Sequence, residues 1–372
     1  MHILIIFGTR PEAIKMAPLV KLLSLHPAYK ITVCVTAQHR HLLDDVLNLF
    51  EITPDFDLNI MQSHQTLTQM TCMMLPLISE VIEKVAPDMV MVHGDVTTGF
   101  VGALSSFYHK IPVAHIEAGL RTYNHYNPFP EEMNRSLISR LATYHFAPTA
   151  EAVQNLRKEH IPEKNIILTG NTVIDALLWM KQKLQQDEIL QKHIAGDFSF
   201  LNPDKKLILV TGHRRENWDF GLANMCMNLK NSVTQQDCQI IYAVHPNPKI
   251  QKIVREHLGD VDNVFLVPPL SYGHFVYLMQ KSYVIVTDSG GIQEEAPALG
   301  VPILLTRNQT ERPEGVQSGY VTLVGNEGDL LTEKLHEFLQ SPDKRHRLPA
   351  SLYGDGTACQ KIVDFLDGLF SR

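Results

Sequence analysis

No stretch of this 372-residue chain approaches the ~20 consecutive apolar residues that a membrane span needs. The short apolar run in the N-terminal MHILIIFGTRPE meets Arg10 and Glu12 at once, so no secretory leader is expected either. Cysteine is sparse: Cys34, Cys72, Cys226, Cys238 and Cys359 are scattered, with no C-x-x-C pair. That spacing speaks against a disulfide framework and a zinc site, and for reduced thiols in a cytoplasmic protein. Positive charge is in deficit, with 33 Lys and Arg against 40 Asp and Glu and a net charge of -7. A general polyanion binder is therefore not expected, and nucleic acid is not an expected partner; a small basic pocket for phosphates is still allowed. G-x-G-x-x-G is missing, which weakens a nicotinamide dinucleotide reading, and so is G-K-[ST], which weakens a P-loop reading. His39 and His41 share a two-residue spacing but have no third ligand, so no metal is expected.

What is present is an alternation. Short apolar, β-branched runs recur at 3–7, 31–35, 89–93, 112–116, 166–170, 207–211, 240–244, 264–268, 283–287 and 302–306. Helical patterns lie between them, as at 12–25, 66–85, 131–142, 172–187 and 328–340. Strands that are apolar on both faces and separated by helices imply parallel sheets covered on both sides. The polar, Gly- and Pro-containing stretch 185–206 interrupts this rhythm. The expectation is an α/β protein of two Rossmann-like, doubly wound domains, 1–185 and 186–356, facing a central cleft. A C-terminal helix at about 357–372 is expected to pack back on the first domain.

Ligands of such sheets bind beyond the carboxyl ends of the strands, so the residues just after each strand carry most of the information. After the first strand come Gly8, which permits a tight turn, and Arg10 and Lys15, which can face a phosphate. Asp95 follows the third strand, where a helix N-cap is the competing role. Glu117 follows the fourth strand at the same level of the sheet. Glu131 and Glu132 open the next helix, where a first-turn carboxylate or an i,i+4 pair with Arg135 would be structural alternatives. Two carboxylates on neighbouring strand ends repel each other and shift each other's proton affinity, which is an arrangement suited to proton transfer. In the second half, His213, Arg214 and Arg215 follow one strand and His245 follows the next. The sharpest signal is TDSGGIQEEAP, in which Ser289, Gly290 and Gly291 let backbone N–H groups approach a diphosphate. Glu295, one turn on, can accept from a ribose diol, and Arg312 follows the next strand.

Together these blocks resemble the non-hydrolysing UDP-N-acetylglucosamine 2-epimerases, through essentially the whole chain. The resemblance rests on FGTRPEAIKMAPL (7–19), HGDVTTGFVGAL (93–104), HIEAGLRT (115–122), NPFPEEMNR (127–135), TGHRREN (211–217), TDSGGIQEEAP (287–297) and TERPEG (310–315), in that order. It implies a GT-B-like fold, a homodimer, and interconversion of UDP-GlcNAc and UDP-ManNAc without metal or nicotinamide. It implies functional acids at Asp95, Glu117 and Glu131, with His213, and substrate contacts at Arg10, Lys15, Arg135, Phe275, Ser289, Gly290, Gly291, Glu295 and Arg312. It also implies a regulatory, activating substrate molecule at Gln38, Gln65, Arg214 and His245. Two departures are visible: Leu270 stands where relatives carry Gln, and His64 where an Arg often precedes the second of those Gln residues. A 2-epimerase of a modified UDP-2-acetamido sugar, a GT-B UDP-sugar glycosyltransferase and a non-catalytic UDP-sugar-binding module are the alternatives.

Overall fold

The structure is a computed structural model and describes residues 1–37, 40–61, 65–212, 220–235, 237–325, 329–340 and 351–370. The chain divides into two units, Met1–Ala176 with Tyr353–Arg372, and Leu177–Leu352.

The first unit is built on β1 (His2–Phe7), β2 (Lys30–Val35), β3 (Phe56–Asp57), β4 (Met89–His93), β5 (Val113–Ile116), β6 (Tyr144–Ala147) and β7 (Ile166–Leu168). These strands form one sheet in the order β3-β2-β1-β4-β5-β6-β7, and every pairing is parallel. Its inner strands have no polar face because both faces are covered: all of β4 and β5 is buried, and so is β1 after His2. On one face, Leu4, Ile6, Val90 and Val92 pack with Met74, Ile78 and Val101 of the helices Leu67–Val85 and Thr97–Tyr108. The helix Arg10–Leu25 packs on β1 and β2 and against the C-terminal helix Ala358–Phe370.

The second unit uses β8 (Lys206–Gly212), β9 (Cys238–Val244), β10 (Val264–Val267), β11 (Val284–Thr287), β12 (Ile303–Leu305) and β13 (Val321–Leu323). Their order is β10-β9-β8-β11-β12-β13, again all parallel. Ile208, Val210, Ile240, Tyr242, Val284 and Val286 form the centre of its apolar core. Among the described residues no helix is long and apolar enough to cross a membrane.

Each sheet reverses its winding once. The first does so between β1 and β4, the second between β8 and β11. The crevice beyond the carboxyl ends of such a strand pair is where open α/β sheets take ligands. In the first unit, Gly8–Arg10 and Gly94–Asp95 therefore flank this switch point. In the second, Gly212 and Asp288–Gly291 do so.

Three short strands, β3, β6 and β13, lack the long apolar run by which the others are recognised, since Tyr144–Ala147 reads only YHFA. The polar stretch 185–206 contains the helix Glu188–Asp197, whose first turn is capped by the Asp187 side chain accepting the Leu190 N–H at 2.9 Å. The division between units falls between Ala176 and Leu177, inside the continuous helix Thr172–Gln186.

Candidate active site

Behind β1 the chain turns tightly. A Cβ on Gly8 would sit 1.9 Å from Thr36 Oγ1 and 2.6 Å from Thr98 Oγ1, so no side chain fits there. Glu12 folds back onto this turn, its Oε2 accepting the N–H of Gly8 at 2.9 Å and of Thr9 at 2.8 Å. Burial pushes the Glu12 carboxyl up to about 7, and the charge of Asp95 acts in the same direction. Half-buried Arg10 opens the helix Arg10–Leu25, and Lys15, one turn later, is buried.

Asp95 and Glu117 end adjacent strands. His93 of β4 pairs in register with Ile116 of β5, and the Gly94 N–H donates to the Ile116 carbonyl at 2.9 Å. Each carboxylate has a cation. Arg135 Nη2 donates to Asp95 Oδ2 at 2.5 Å, and the Lys15 ammonium donates to Glu117 Oε2. Asn171 Nδ2 donates to the same Glu117 oxygen at 2.5 Å, and His93 Nε2 lies 4.0 Å from it. Glu117 has a left-handed backbone, φ 64°. For a residue with a Cβ that conformation costs on the order of 1–3 kcal/mol and concentrates at functional positions. His115, fully buried, must donate its Nε2–H to the Gly94 carbonyl at 2.7 Å, because a carbonyl only accepts. Burial lowers the His115 imidazole to about 3, so it is a neutral brace on the turn that carries Asp95.

The charges crowded behind β5 separate into two sets. Glu132 accepts the N–H groups of Thr122 at 3.0 Å and Tyr123 at 2.8 Å, and its Oε2 lies 3.4 Å from Arg135 Nη1. Arg121 grips Glu159 with two bonds of 2.6 and 2.9 Å and donates to the Leu120 carbonyl at 2.7 Å. Glu132 and Arg121 thus build the loop 117–130. Asp95 with Arg135, and Glu117 with Lys15, form the other set. Glu131 begins the helix Glu131–Leu141, half-buried, one turn before Arg135.

In the second unit, β11 runs into Asp288, Ser289, Gly290 and Gly291 and then the short helix Ile292–Ala298. The Ser289 N–H donates to Thr287 Oγ1 at 3.0 Å, and Gln293 Nε2 donates to the Ser289 carbonyl at 3.2 Å. A Cβ on Gly290 would lie 3.0 Å from Arg312 Nη1, so the guanidinium occupies the space a side chain would need. That guanidinium is buried and also donates to Glu294 and Glu311. Glu295 is buried and accepts the Tyr272 hydroxyl at 2.8 Å. Phe275 is half-buried, one turn into the helix Tyr272–Lys281.

The structure therefore brings Lys15, Asp95, Glu117 and Arg135 together at one strand edge, and Ser289–Gly291 with Glu295 and Arg312 at another. His213, Arg214 and Gln38 lie outside the described residues. Gln65 precedes the helix Leu67–Val85 and donates to the Met73 sulfur at 3.9 Å. His245 follows β9, its Nδ1 accepting the Asn247 N–H at 3.2 Å. Sequence reasoning passed over Glu12, His93, His115, Asn171 and Tyr272. Asn171 had a signal of the kind used elsewhere, a polar residue between a strand end and a helix start. Among the described residues no three His, Cys, Asp or Glu side chains gather as a metal site would require.

The sequence model of a family described as "UDP-N-acetylglucosamine 2-epimerase" matches residues 21–367. The UDP-N-acetylglucosamine 2-epimerase of Escherichia coli (strain K12) is 49% identical over 369 residues, covering 98% of each chain. The crystal structure of UDP-GlcNAc 2-epimerase from Neisseria meningitidis, bound to UDP-GlcNAc, is 46% identical with a TM-score of 0.95, over 99% of this chain and 100% of that one. The enzyme from Methanocaldococcus jannaschii, in complex with UDP-GlcNAc and UDP, is 33% identical with a TM-score of 0.88, over 99% and 100%.

Proposed function

Because this chain belongs to the UDP-N-acetylglucosamine 2-epimerase family, we propose that it interconverts UDP-N-acetylglucosamine and UDP-N-acetylmannosamine at C2, by eliminating UDP and adding it back. The observation that carries the mechanism is the pair of carboxylates Asp95 and Glu117 on adjacent strand ends, each with its own basic partner. C2–H is not next to a carbonyl and is weakly acidic. It becomes removable as the anomeric C–O bond breaks and C1 gains positive character. The base takes the proton, the C2–H electrons form the C1=C2 bond, and the C–O pair leaves with UDP, giving 2-acetamidoglucal. A UDP oxygen then attacks C1 while a proton reaches the opposite face of C2.

The reaction needs a base, an acid and a clamp on departed UDP. Asp95, Glu117 and Glu131 share the proton transfers, with Arg135 holding Asp95 and Lys15 holding Glu117. Arg10, His213, Phe275, Ser289, Gly290, Gly291, Glu295 and Arg312 hold the uridine diphosphate. The related enzymes solved with UDP-GlcNAc support this choice of ligand. The protein works in the cytoplasm as a homodimer. A second substrate molecule activates it at Gln38, Gln65, Arg214 and His245, so strictly hyperbolic kinetics with UDP-ManNAc, indifferent to traces of UDP-GlcNAc, would remove the regulatory part.

Incubation with UDP-GlcNAc in deuterated water, followed by proton NMR, tests the reading directly. UDP-ManNAc with deuterium at C2 is the expected product. Product that keeps its protium would overturn proton exchange. Bound UDP-GlcNAc with no conversion would overturn the assigned substrate.

A further inference from the structure

We propose that Asn171 is a positioning residue for Glu117, and that the C-terminal segment of the chain seats it there. The inference rests on the reading that Glu117 takes part in C2 proton transfer.

Asn171 is buried, 2% exposed, directly before the helix Thr172–Gln186. Its Oδ1 accepts the Val173 N–H at 3.1 Å, while its Nδ2 donates to Glu117 Oε2 at 2.5 Å. These two contacts fix the orientation of the amide. Turned over, it would set an NH2 against an N–H and an oxygen against a carboxylate, so both contacts would become repulsive. Also near that carboxylate are Lys15, whose ammonium meets the same oxygen, and His93 at 4.0 Å. Lys15 supplies charge at the end of a flexible stem. Asn171 supplies direction without charge, from a side chain with two short torsions. A carboxylate on a left-handed backbone is thus held at one oxygen by two donors from different elements.

What seats Asn171 comes from far away in sequence. Its backbone N–H donates to the Tyr353 carbonyl at 2.6 Å. Behind it Gly170 and Gly354 touch backbone to backbone: a Cβ on Gly170 would lie 3.0 Å from Gly354 Cα, and one on Gly354 would lie 3.2 Å from Gly170 Cα. Both glycines have positive φ, 88° and 125°, which closes the site to other residues. One turn further along, Asp175 accepts the N–H groups of Cys359 at 2.9 Å and Ala358 at 3.2 Å. Residues 170–175 therefore clasp the returning chain at two points, and the Glu117 carboxylate hangs from that clasp.

Asn171→Asp is the discriminating variant. It keeps the oxygen that accepts from Val173 and replaces the fixed NH2 donor facing Glu117 with a titratable carboxyl oxygen. The expected result is a kcat for epimerisation and C2 deuterium exchange lowered about 10- to 100-fold, with KM within about twofold, because the reacting group is misplaced while substrate binding is intact. The acid limb of the kcat–pH profile should move up by about one unit or more, since the introduced carboxyl and Glu117 then share a proton. Asn171→Ala, checked for folding by circular dichroism and UDP titration, should lose kcat to a similar degree without moving that limb. Wild-type kcat, KM and pH profile in either folded variant would overturn the proposal. Glu117→Gln separates the two levels. If it exchanges C2 at the wild-type rate, the role of Glu117 fails. If it loses exchange while the Asn171 variants keep it, only the positioning role fails.

Discussion

Replacing Glu12 by Gln separates charge from shape in the turn behind β1. The carboxyl is 2% exposed; Oε2 accepts two backbone N–H groups, and Oε1 has no hydrogen-bond partner among the described residues. Burial raises the group from 4.5 to about 7. Because the folded value lies above the unfolded one, the fold favours the protonated acid. The associated stability is fully present below pH 4.5 and is lost as pH rises through about 7. Above that pH the ionised group costs the fold on the order of 3 kcal/mol, from a difference of about 2.5 units at 1.36 kcal/mol each. Gln bears no such charge. Relative to wild type, the variant should gain about 2.5 kcal/mol of unfolding free energy between pH 5 and pH 8. The buried NH2 that replaces Oε1 adds an offset, but one independent of pH, so the slope is the readout. Urea unfolding of both proteins, followed by circular dichroism at four pH values from 5 to 8, measures it. Stability-versus-pH curves that run parallel would refute the claim that Glu12 is held protonated by burial.

Three further outcomes follow from the same geometry. Glu132→Ala strips two loop N–H groups of their acceptor and Arg135 of a neighbour, and should lower stability by about 2–3 kcal/mol in thermal or urea unfolding. His115 should remain neutral, with its proton on Nε2, in ring-nitrogen NMR from pH 8 to pH 5; because burial lowers it from 6.5 to about 3, its contribution to stability is lost as pH falls from 6.5 towards 3. Gly354→Ala forces a Cβ to 3.2 Å from Gly170 Cα at φ 125°, so hydrogen exchange in the helix Ala358–Phe370 should speed up about tenfold or more, while amides of β8–β12 keep their protection.

Much of the first layer of this protein was written locally. Strands buried on both faces must be apolar throughout, so β1, β4, β8, β9 and β11 could be read directly from their Ile, Leu and Val runs. Parallel sheets place their chemistry just past the strand ends, so Asp95, Glu117 and Ser289–Gly291 could be named from position alone. Other features had no local trace. YHFA is too short and too polar to announce β6, which forms because β5 and β7 supply its hydrogen-bonding partners. Glu131, Glu132, Arg121 and Arg135 look alike in one dimension; only the packed loop shows that Glu132 and Arg121 hold backbone while Arg135 meets Asp95. Glu12 looks like an ordinary first-turn carboxylate until burial removes the water that would keep it charged. Asn171 and Tyr353 stand 182 positions apart in the chain (353 − 171), and no periodicity links them. Residue type and spacing determined the elements and the kinds of chemistry at their ends. Partner choice and protonation depend on which distant groups share a water-free neighbourhood, and that was decided only when the chain closed on itself.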